Sequence, residues 1–212
     1  MRLGTVGVVQ WFARSVVNGQ MGVRFPSPTH MIEVLNFRAK YIAQVADLYD
    51  RVFTGPPWFD PPLGQEAAVE YIREEVSKPL AIALLALDVV LPVGFAWGYQ
   101  LTTFEFATSK YNEPNSRNLI LTSLPSRKYF YISEVGVDPA ETETGPKYRG
   151  KGIATTMVAQ LSSMGQPLLM RTIENSPMRK IAENQLQMTP IVAPWLNIQD
   201  PENNRRVIYI KV

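Results

Sequence analysis

The chain has 212 residues, of which 46% are hydrophobic and none is cysteine. A chain of this length can bury one sizeable core, and the lack of cysteine excludes disulfides, a thiolate nucleophile and a cysteine-based metal site. The net charge of +2 arises from residues 1–30, which hold three arginines and no acid, so the charge gives no reason to expect nucleic-acid binding. No apolar stretch reaches the ~18 residues of a membrane span, and the composition suits the cytoplasm.

Residues 1–30 have a poor hydrophobic periodicity and fit nothing that follows. The segment from Gly22 to Pro28 resembles the T-arm of a transfer-RNA gene read as codons. No small-residue cleavage site follows the apolar run near the start, which argues against a signal peptide. We therefore predict that residues 1–30 are a non-native leader and that Met31 is the true first residue. A genuine disordered leader is the alternative.

From Met31 onwards the sequence shows clear strand and helix periods. The first half predicts a strand (31–38), a helix (40–53), a stiff proline-rich loop (54–62), a helix (66–78) and a hairpin of two strands (80–87 and 93–101). A polar insertion (106–127) follows, with a short helix near residues 119–124. The second half predicts a strand (129–139), a helix (153–164), a strand (167–173), a helix (175–188) and two closing strands (191–198 and 207–212).

A basic turn with two glycines joins the strand that ends at Pro139 to the next helix. Its sequence is Lys147-Tyr148-Arg149-Gly150-Lys151-Gly152-Ile153-Ala154. The first turn of a helix has unpaired amides and the positive end of the helix dipole, and glycines leave room for an anion. The turn therefore suits a phosphate or pyrophosphate. Its spacing matches neither a Walker loop nor a dinucleotide-binding fingerprint; a structural turn with solvated lysines is the alternative.

The pattern Arg149-x-x-Gly152-x-Ala154, after a strand that ends Val137-Asp138-Pro139, resembles the acetyl-coenzyme A motif of the GNAT superfamily of N-acetyltransferases. The order of predicted elements is similar to the GNAT fold along essentially all of 31–212. The resemblance implies one α/β (α+β) domain over 31–212. Its mixed, mostly antiparallel sheet would have about seven strands, flanked by about four helices.

What the resemblance implies is transfer of an acetyl group from acetyl-CoA to a primary amine of a small molecule or peptide. The amine would attack directly, through a tetrahedral intermediate. Gly136 would ease a local bulge in the strand, and Asn175 is either a cofactor contact or a helix cap. The residues expected to bind acetyl-CoA are Val135, Gly136, Val137, Lys147, Arg149, Gly150, Lys151, Gly152, Ile153, Ala154, Thr155 and Asn175.

Glu134 is the candidate general base, because many members of this family carry a glutamate three residues before the position of Val137. A strand carboxylate that simply faces solvent is the alternative. Trp58, Phe59 and Asp60 lie in a loop that walls the acceptor site in this fold, although Trp58 and Phe59 would also suit core packing. Arg171 would meet an acidic group, or pair with Glu134 or Glu174.

The sequence departs from the family at the residue that protonates the leaving thiolate. The usual helix tyrosine falls at Ala182 or Glu183, so Tyr131, Tyr99 or solvent would have to replace it. This departure supports a second hypothesis, a non-catalytic module of the same fold that binds acetyl-CoA or CoA. The acceptor and the oligomeric state stay open, although the closing strands of this fold often support homodimers.

Overall fold

The structure, a computed structural model, describes residues 14–17, 20–26, 31–143, 145–163, 165–191, 199–200 and 203–212. Helices and strands follow one another along this part of the chain. The α-helices are α1 (Ile42–Thr54), α2 (Gln65–Ser77), α3 (Thr103–Lys110), α4 (Pro114–Ser123), α5 (Ile153–Ser162) and α6 (Pro177–Lys180). The strands are β1 (Arg14–Val17), β2 (Gln20–Pro26), β3 (Met31–Asn36), β4 (Ile82–Asp88), β5 (Leu91–Thr102), β6 (Lys128–Val137), β7 (Glu141–Thr142), β8 (Gly145–Pro146), β9 (Leu168–Ile173), β10 (Thr189–Pro190), β11 (Gln199–Asp200) and β12 (Asn203–Lys211). None of these helices is long and apolar enough to cross a membrane.

One mixed sheet crosses the molecule. From residue 31 onwards its path is β3-β4-β5-β6-β9-β12-β10, with β11 paired to β12 beside that path. Neighbouring strands on the path are antiparallel, except that β6 and β9 run parallel. The predicted fold, a GNAT-like and mostly antiparallel sheet of about seven strands, is confirmed.

Helices cover both faces of the sheet because each presents an apolar stripe. On α1 the buried residues Val45, Leu48 and Val52 recur at helical spacing and pack, together with α2, against Phe95 and Trp97 of β5. On the opposite face α5 packs its buried stripe against β4, β5 and β6. The end of β6 therefore lies between α1 on one face of the sheet and the start of α5 on the other.

The insertion between β5 and β6 forms two helices where the sequence predicted one. Thr102 and Glu105 make a reciprocal capping box that begins α3, and Pro114 stands in the first turn of α4. Both helices lie against the sheet through buried side chains that include Phe106 and Ile120. Together with the four flanking helices that the resemblance implied, they bring the α-helices of the described residues to six.

The last predicted helix is shorter than expected. After α6 the backbone takes a π-helical turn (Ile181–Gln185) and the chain then enters β10. Most of the predicted strand 191–198 lies outside the described residues. Within the predicted leader, β1 and β2 form a hairpin, and β2 pairs antiparallel with β3. The start of translation at Met31 stays a prediction.

Candidate active site

The parallel strands β6 and β9 separate partway along their length. Among the described residues they pair only over Phe130–Ile132 of β6, opposite Leu168–Met170 of β9. On its other side β6 stays paired with β5 as far as Val137. From Ser133 onwards the edge of β6 towards β9 is therefore open.

The open edge of β6 presents backbone groups to the space beside it. The Asp138 amide donates a hydrogen bond to the Val93 carbonyl at 2.9 Å, so it faces β5. Backbone groups alternate in direction along a strand, and the amides of Val135 and Val137 consequently face the open edge. The Val137 carbonyl also faces this edge, where it accepts a hydrogen bond from Arg149 Nε at 3.3 Å.

A β-bulge in β6 lies at Ser133. Gly98 pairs with Ile132 and Trp97 pairs with Glu134, which leaves Ser133 as the extra residue. An extra residue shifts the alternation of side chains between the two faces by one position. Without it, Glu134 would share the α5 face with Ile132; with it, Glu134 lies on the face covered by α1 and α2.

The prediction that Gly136 eases this bulge is wrong. Gly136 pairs regularly with Phe95, beyond the bulge. A Cβ placed on Gly136 would lie 2.3 Å from the Phe95 ring. Glycine is required there because the ring packs directly over the strand.

A cleft with a volume of about 380 Å³ lies between the open edge of β6 and the N-terminus of α5. We call it the glycine-turn cleft. It is lined by Val52, Pro57, Trp58, Val135, Gly136, Val137, Tyr148, Arg149, Gly150, Gly152, Ile153, Ala154, Thr155, Pro177, Met178 and Ile181. The structure thus brings together the predicted cofactor residues of β6 and most of those of the turn.

The two glycines of the turn adopt left-handed conformations. Gly150 has φ +75° and Gly152 has φ +81°, values that favour glycine, and no atom lies within 4 Å of a Cβ built at either position. Gly152 is the N-cap of α5, and no side chain caps the helix. The amides of Ile153, Ala154 and Thr155 therefore have no partner within the helix, and these three residues line the cleft.

A buried tyrosine holds the turn in place. Tyr148 is 3% exposed, and its hydroxyl donates a hydrogen bond to Asp88 Oδ2 at 2.9 Å. Asp88 ends β4, so this bond ties the turn to the β4–β5 hairpin. Sequence reasoning missed this contact because the two residues lie 60 positions apart.

Three predicted cofactor residues lie outside the walls of the glycine-turn cleft. Lys147 is exposed and places Nζ 4.8 Å from the centre of the Tyr148 ring, and Lys151 is exposed as well. Asn175 is exposed, and the N-cap of α6 is Ser176 rather than Asn175. The helix-cap alternative for Asn175 is therefore wrong by one residue.

A second cleft, with a volume of about 280 Å³, adjoins the first and contains the predicted base. We call it the Glu134 cleft. Trp58, Val135 and Met178 line both clefts, so a ligand in one would meet a ligand in the other at these side chains. The open edge of β6 thus lies between the uncapped N-terminus of α5 and an acidic side chain.

Glu134 is held by α2, and its pKa is raised towards neutrality. The Tyr71 hydroxyl donates a hydrogen bond to Glu134 Oε1 at 2.8 Å. Burial raises the pKa of Glu134 to about 7; the Tyr71 hydrogen bond opposes this shift and the negative charge of Glu75 adds to it. A carboxylate with a pKa near neutrality can accept a proton and release it again under physiological conditions.

The second carboxylate, Glu75 of α2, stabilises the bulge. It is 2% exposed and accepts a hydrogen bond from Ser133 Oγ at 2.6 Å. Lys78 Nζ donates to the other oxygen of Glu75 and forms an ion pair with it. Ser133 and Glu134 are consecutive, so α2 fixes the bulge through Glu75 and the side chain of Glu134 through Tyr71.

The loop between α1 and α2 contributes two of its three predicted residues. Trp58 packs on Phe53 with ring centres 5.4 Å apart and lines both clefts, and Asp60 lines the Glu134 cleft. Phe59 is 66% exposed and lines neither cleft. The structure therefore brings Trp58 and Asp60, but not Phe59, to the site.

The position of the usual helix tyrosine is occupied by side chains that face elsewhere. Ala182 is fully buried in the core, and Glu183 accepts hydrogen bonds from Arg179 and Tyr209. Of the two substitutes, Tyr131 lines the Glu134 cleft and Tyr99 lines neither cleft described above. Tyr131 is consequently the tyrosine of these two that has access to the site.

Sequence reasoning missed several residues of the Glu134 cleft. Tyr49 and Tyr71 fitted the apolar stripes of their helices, and only their hydroxyls distinguish them from core residues. Lys110 ends α3 in the insertion, and Arg206 lies on β12. No local pattern marks these two cations, because the tertiary structure alone brings them to β6. Arg171 lines the same cleft, and its Nη1 lies 3.5 Å from the Lys110 carbonyl.

Comparisons with known proteins identify the fold. No protein-family model matches the chain, and no curated protein matches it significantly. Among solved structures, a polyamine N-acetyltransferase from Drosophila melanogaster, which forms N-acetylagmatine, is similar with a TM-score of 0.56 at 13% identity, over 85% of this chain and 99% of that one. A protein assigned to the GNAT family of acetyltransferases from Desulfovibrio desulfuricans is similar with a TM-score of 0.52 at 12% identity, over 85% and 98%.

A third similar structure is that of a protein from Salmonella typhimurium, solved with its cofactor acetyl-CoA. Its TM-score is 0.52 at 11% identity, over 85% of this chain and 92% of that one. At these identities the similarity establishes the fold and leaves the activity to be argued from the site. The chain has the fold of the GNAT acetyltransferases.

Proposed function

We propose that this protein is an N-acetyltransferase that uses acetyl-CoA and acetylates a primary amine of a small molecule or peptide. The observation that carries the proposal is the adjacency of the two clefts. A helix N-terminus suited to a pyrophosphate and a carboxylate suited to deprotonating an amine lie on either side of one open strand edge. Acetyl-CoA as co-substrate is supported by the similar structure that contains it.

The residues of the glycine-turn cleft would hold the co-substrate. The amides of Ile153, Ala154 and Thr155 would bind the pyrophosphate, with Arg149 beside them. The open edge of β6 would pair with the pantetheine arm, and an amide of this edge would stabilise negative charge that develops on the reacting carbonyl oxygen. When bound, acetyl-CoA supplies the acetyl thioester.

Glu134 would take the proton from the acceptor ammonium. Its position in the neighbouring cleft, fixed by Tyr71, lets it contact an amine that approaches the open edge, directly or through one water. Ionised Glu134 is the active form, so we expect the rate to rise with pH through about 7 and then to level off. Tyr131 is the candidate group for returning a proton to the thiolate.

A non-catalytic module that binds acetyl-CoA or CoA is the second candidate. Ala182 favours it, because this buried alanine stands where the expected tyrosine of the family would protonate the leaving thiolate. The two candidates share the glycine-turn cleft and differ in what Glu134 does.

Two measurements on the full chain test the proposal. Acetyl-CoA at about a hundred times its dissociation constant should raise the free energy of unfolding by ~2.7 kcal/mol, a shift visible as a higher Tm. Gly152→Asp should abolish the shift, whereas Arg73→Gln, an exposed change on α2, should keep it. Release of the CoA thiol is then followed with a panel of amines, for wild type and Glu134→Gln.

The outcomes separate the candidates. An acetyltransferase predicts that Glu134→Gln binds acetyl-CoA normally and loses at least tenfold in kcat with an accepted amine. Binding without thiol release for any amine would favour the module. A folded protein with no Tm shift at millimolar acetyl-CoA would contradict both.

A further inference from the structure

Three cations from three separate elements meet in the Glu134 cleft. Lys110 comes from the end of α3, Arg171 from β9 and Arg206 from β12. The same cleft holds two carboxylates, Asp60 and Glu134. With both acids ionised, the charged residues of the cleft have a net charge of +1. Protonation of Glu134 raises this net charge to +2.

The cations lie against aromatic rings. Lys110 Nζ is 5.3 Å from the centre of the Tyr131 ring and 6.0 Å from that of Tyr99. Arg171 Cζ is 5.5 Å from the centre of the Tyr111 ring. The face of an aromatic ring positions a cation without contributing an anion. The rings of Tyr99 and Tyr131 therefore hold the ammonium group of Lys110 beside the cleft.

Arg206 is a partly buried cation in the wall of this cleft. Its Nε atom is buried and has no hydrogen-bond partner within the part of the chain that the structure describes. A guanidinium has five donors in a fixed fork that matches a carboxylate, and a buried donor without an acceptor destabilises the protein. A carboxylate bound in the cleft would balance the charge of this guanidinium.

We propose that the acceptor is an aminocarboxylate, a small molecule that carries an amine and a carboxylate. The amine lies towards Glu134, and the carboxylate lies towards Lys110, Arg171 and Arg206. The volume of about 280 Å³ suits a molecule of amino-acid size better than a folded protein surface. This inference rests on the proposed acetyl transfer, because it takes Glu134 as the residue that meets the amine.

The same charges disfavour a polyamine. A second or third ammonium would have to lie near the cationic end of the cleft, where like charges repel. The proposal therefore separates this chain from the polyamine acetyltransferase whose fold it shares. Diamines are accordingly the sharpest negative controls.

The test compares acceptors that differ only in the carboxylate. The probes are the free proteinogenic amino acids, their carboxamides, and the diamines cadaverine and agmatine. Binding is measured as the Tm shift of the full chain saturated with CoA, where no transfer occurs. We expect at least one free amino acid to bind with a Kd at least tenfold lower than its carboxamide and than both diamines. Equal or tighter binding of carboxamides or diamines, or no binding of any amino acid, would overturn the proposal.

Variants locate the preference in the cleft. Arg206→Gln and Lys110→Gln should each reduce the acid-over-amide ratio at least fivefold and leave the affinity for CoA unchanged. Arg73→Gln removes the same charge from an exposed position on α2 and should leave the ratio unchanged. An unchanged ratio in both cleft variants would overturn the assignment of the carboxylate site, and the wild-type comparison needs no variant to fold.

Thiol release with acetyl-CoA then distinguishes the two proposals. Free acids that bind but release no CoA thiol would leave the carboxylate site in place and refute acetyl transfer. Carboxamides acetylated as fast as the free acids would leave acetyl transfer in place and refute the carboxylate site.

Discussion

Replacing Glu134 with glutamine should stabilise the protein at alkaline pH and change little in acid. Burial raises the pKa of Glu134 in the folded protein to about 7, from an ordinary value of 4.5. Between these values the folded chain holds a proton that the unfolded chain has released. Wild-type stability therefore falls as pH rises from about 4.5 and levels off above about 7.

The size of the effect follows from the two pKa values. A tenfold change in proton affinity corresponds to about 1.4 kcal/mol. The rise of the pKa from 4.5 to about 7 therefore changes the free energy of unfolding by at most about 3 kcal/mol. Glu134 faces a cleft and is only partly buried, so solvent in the cleft reduces this figure; we expect about 2 kcal/mol. Glutamine does not ionise, and its side-chain carbonyl can accept the same Tyr71 hydrogen bond.

Urea unfolding followed by tryptophan fluorescence, at pH 5, 6, 7 and 8, measures the difference between Glu134→Gln and wild type. Titrating groups that do not interact with Glu134 cancel in this difference. We expect it to grow with pH by about 2 kcal/mol in favour of the variant. Glu74→Gln, an exposed change in α2, is the matched control and should show no such trend. Parallel pH profiles for wild type and Glu134→Gln would refute the raised pKa.

Three further predictions concern the same region. Tyr71→Phe removes a hydrogen bond that favours the ionised form of Glu134, so the pKa of Glu134 should rise. The acid limb of the pH profile of kcat/KM should then move to higher pH, and an unmoved limb would exclude Glu134 as the titrating base. Ser133→Ala leaves an oxygen of the buried Glu75 without its donor and should cost about 1–3 kcal/mol in urea unfolding, against less than about 0.5 kcal/mol for the exposed Ser163→Ala. Gly136→Ala places a methyl group 2.3 Å from the Phe95 ring and should destabilise by about 1–3 kcal/mol; equal stability of wild type and variant would contradict the close approach.

The fold was predictable from the sequence because its signals are local. The strand that ends at Val137, the basic turn and the helix that starts at Ile153 are close to one another in the chain, and each has its own pattern of side chains. The insertion was less predictable, since the capping box at Thr102 begins a helix whose apolar stripe is short. The last helix deviates because a π-helical turn has no sequence signature at this length.

The walls of the glycine-turn cleft were predictable for the same reason, whereas the cations of the Glu134 cleft were not. Gly150 and Gly152 act through their own backbone angles, which a residue type can reveal. Lys110 and Arg206 are far apart in the chain and act through their position beside β6. Only the pairing of β9 with β12 and the packing of α3 on the sheet bring them together.

The bulge at Ser133 explains how one strand serves both clefts. Before the bulge, Ile132 lies on the face of the sheet that α5 covers. After it, Val135 and Val137 lie on that face, and Glu134 lies on the face that α1 and α2 cover. The backbone edge of the same residues is free because β9 has already diverged. One extra residue thus places an acidic side chain and open amides on consecutive residues of a single strand. Because α2 holds the bulge through Glu75 and Glu134 through Tyr71, we expect changes in α2 to alter the pKa and position of Glu134 while leaving the glycine turn intact.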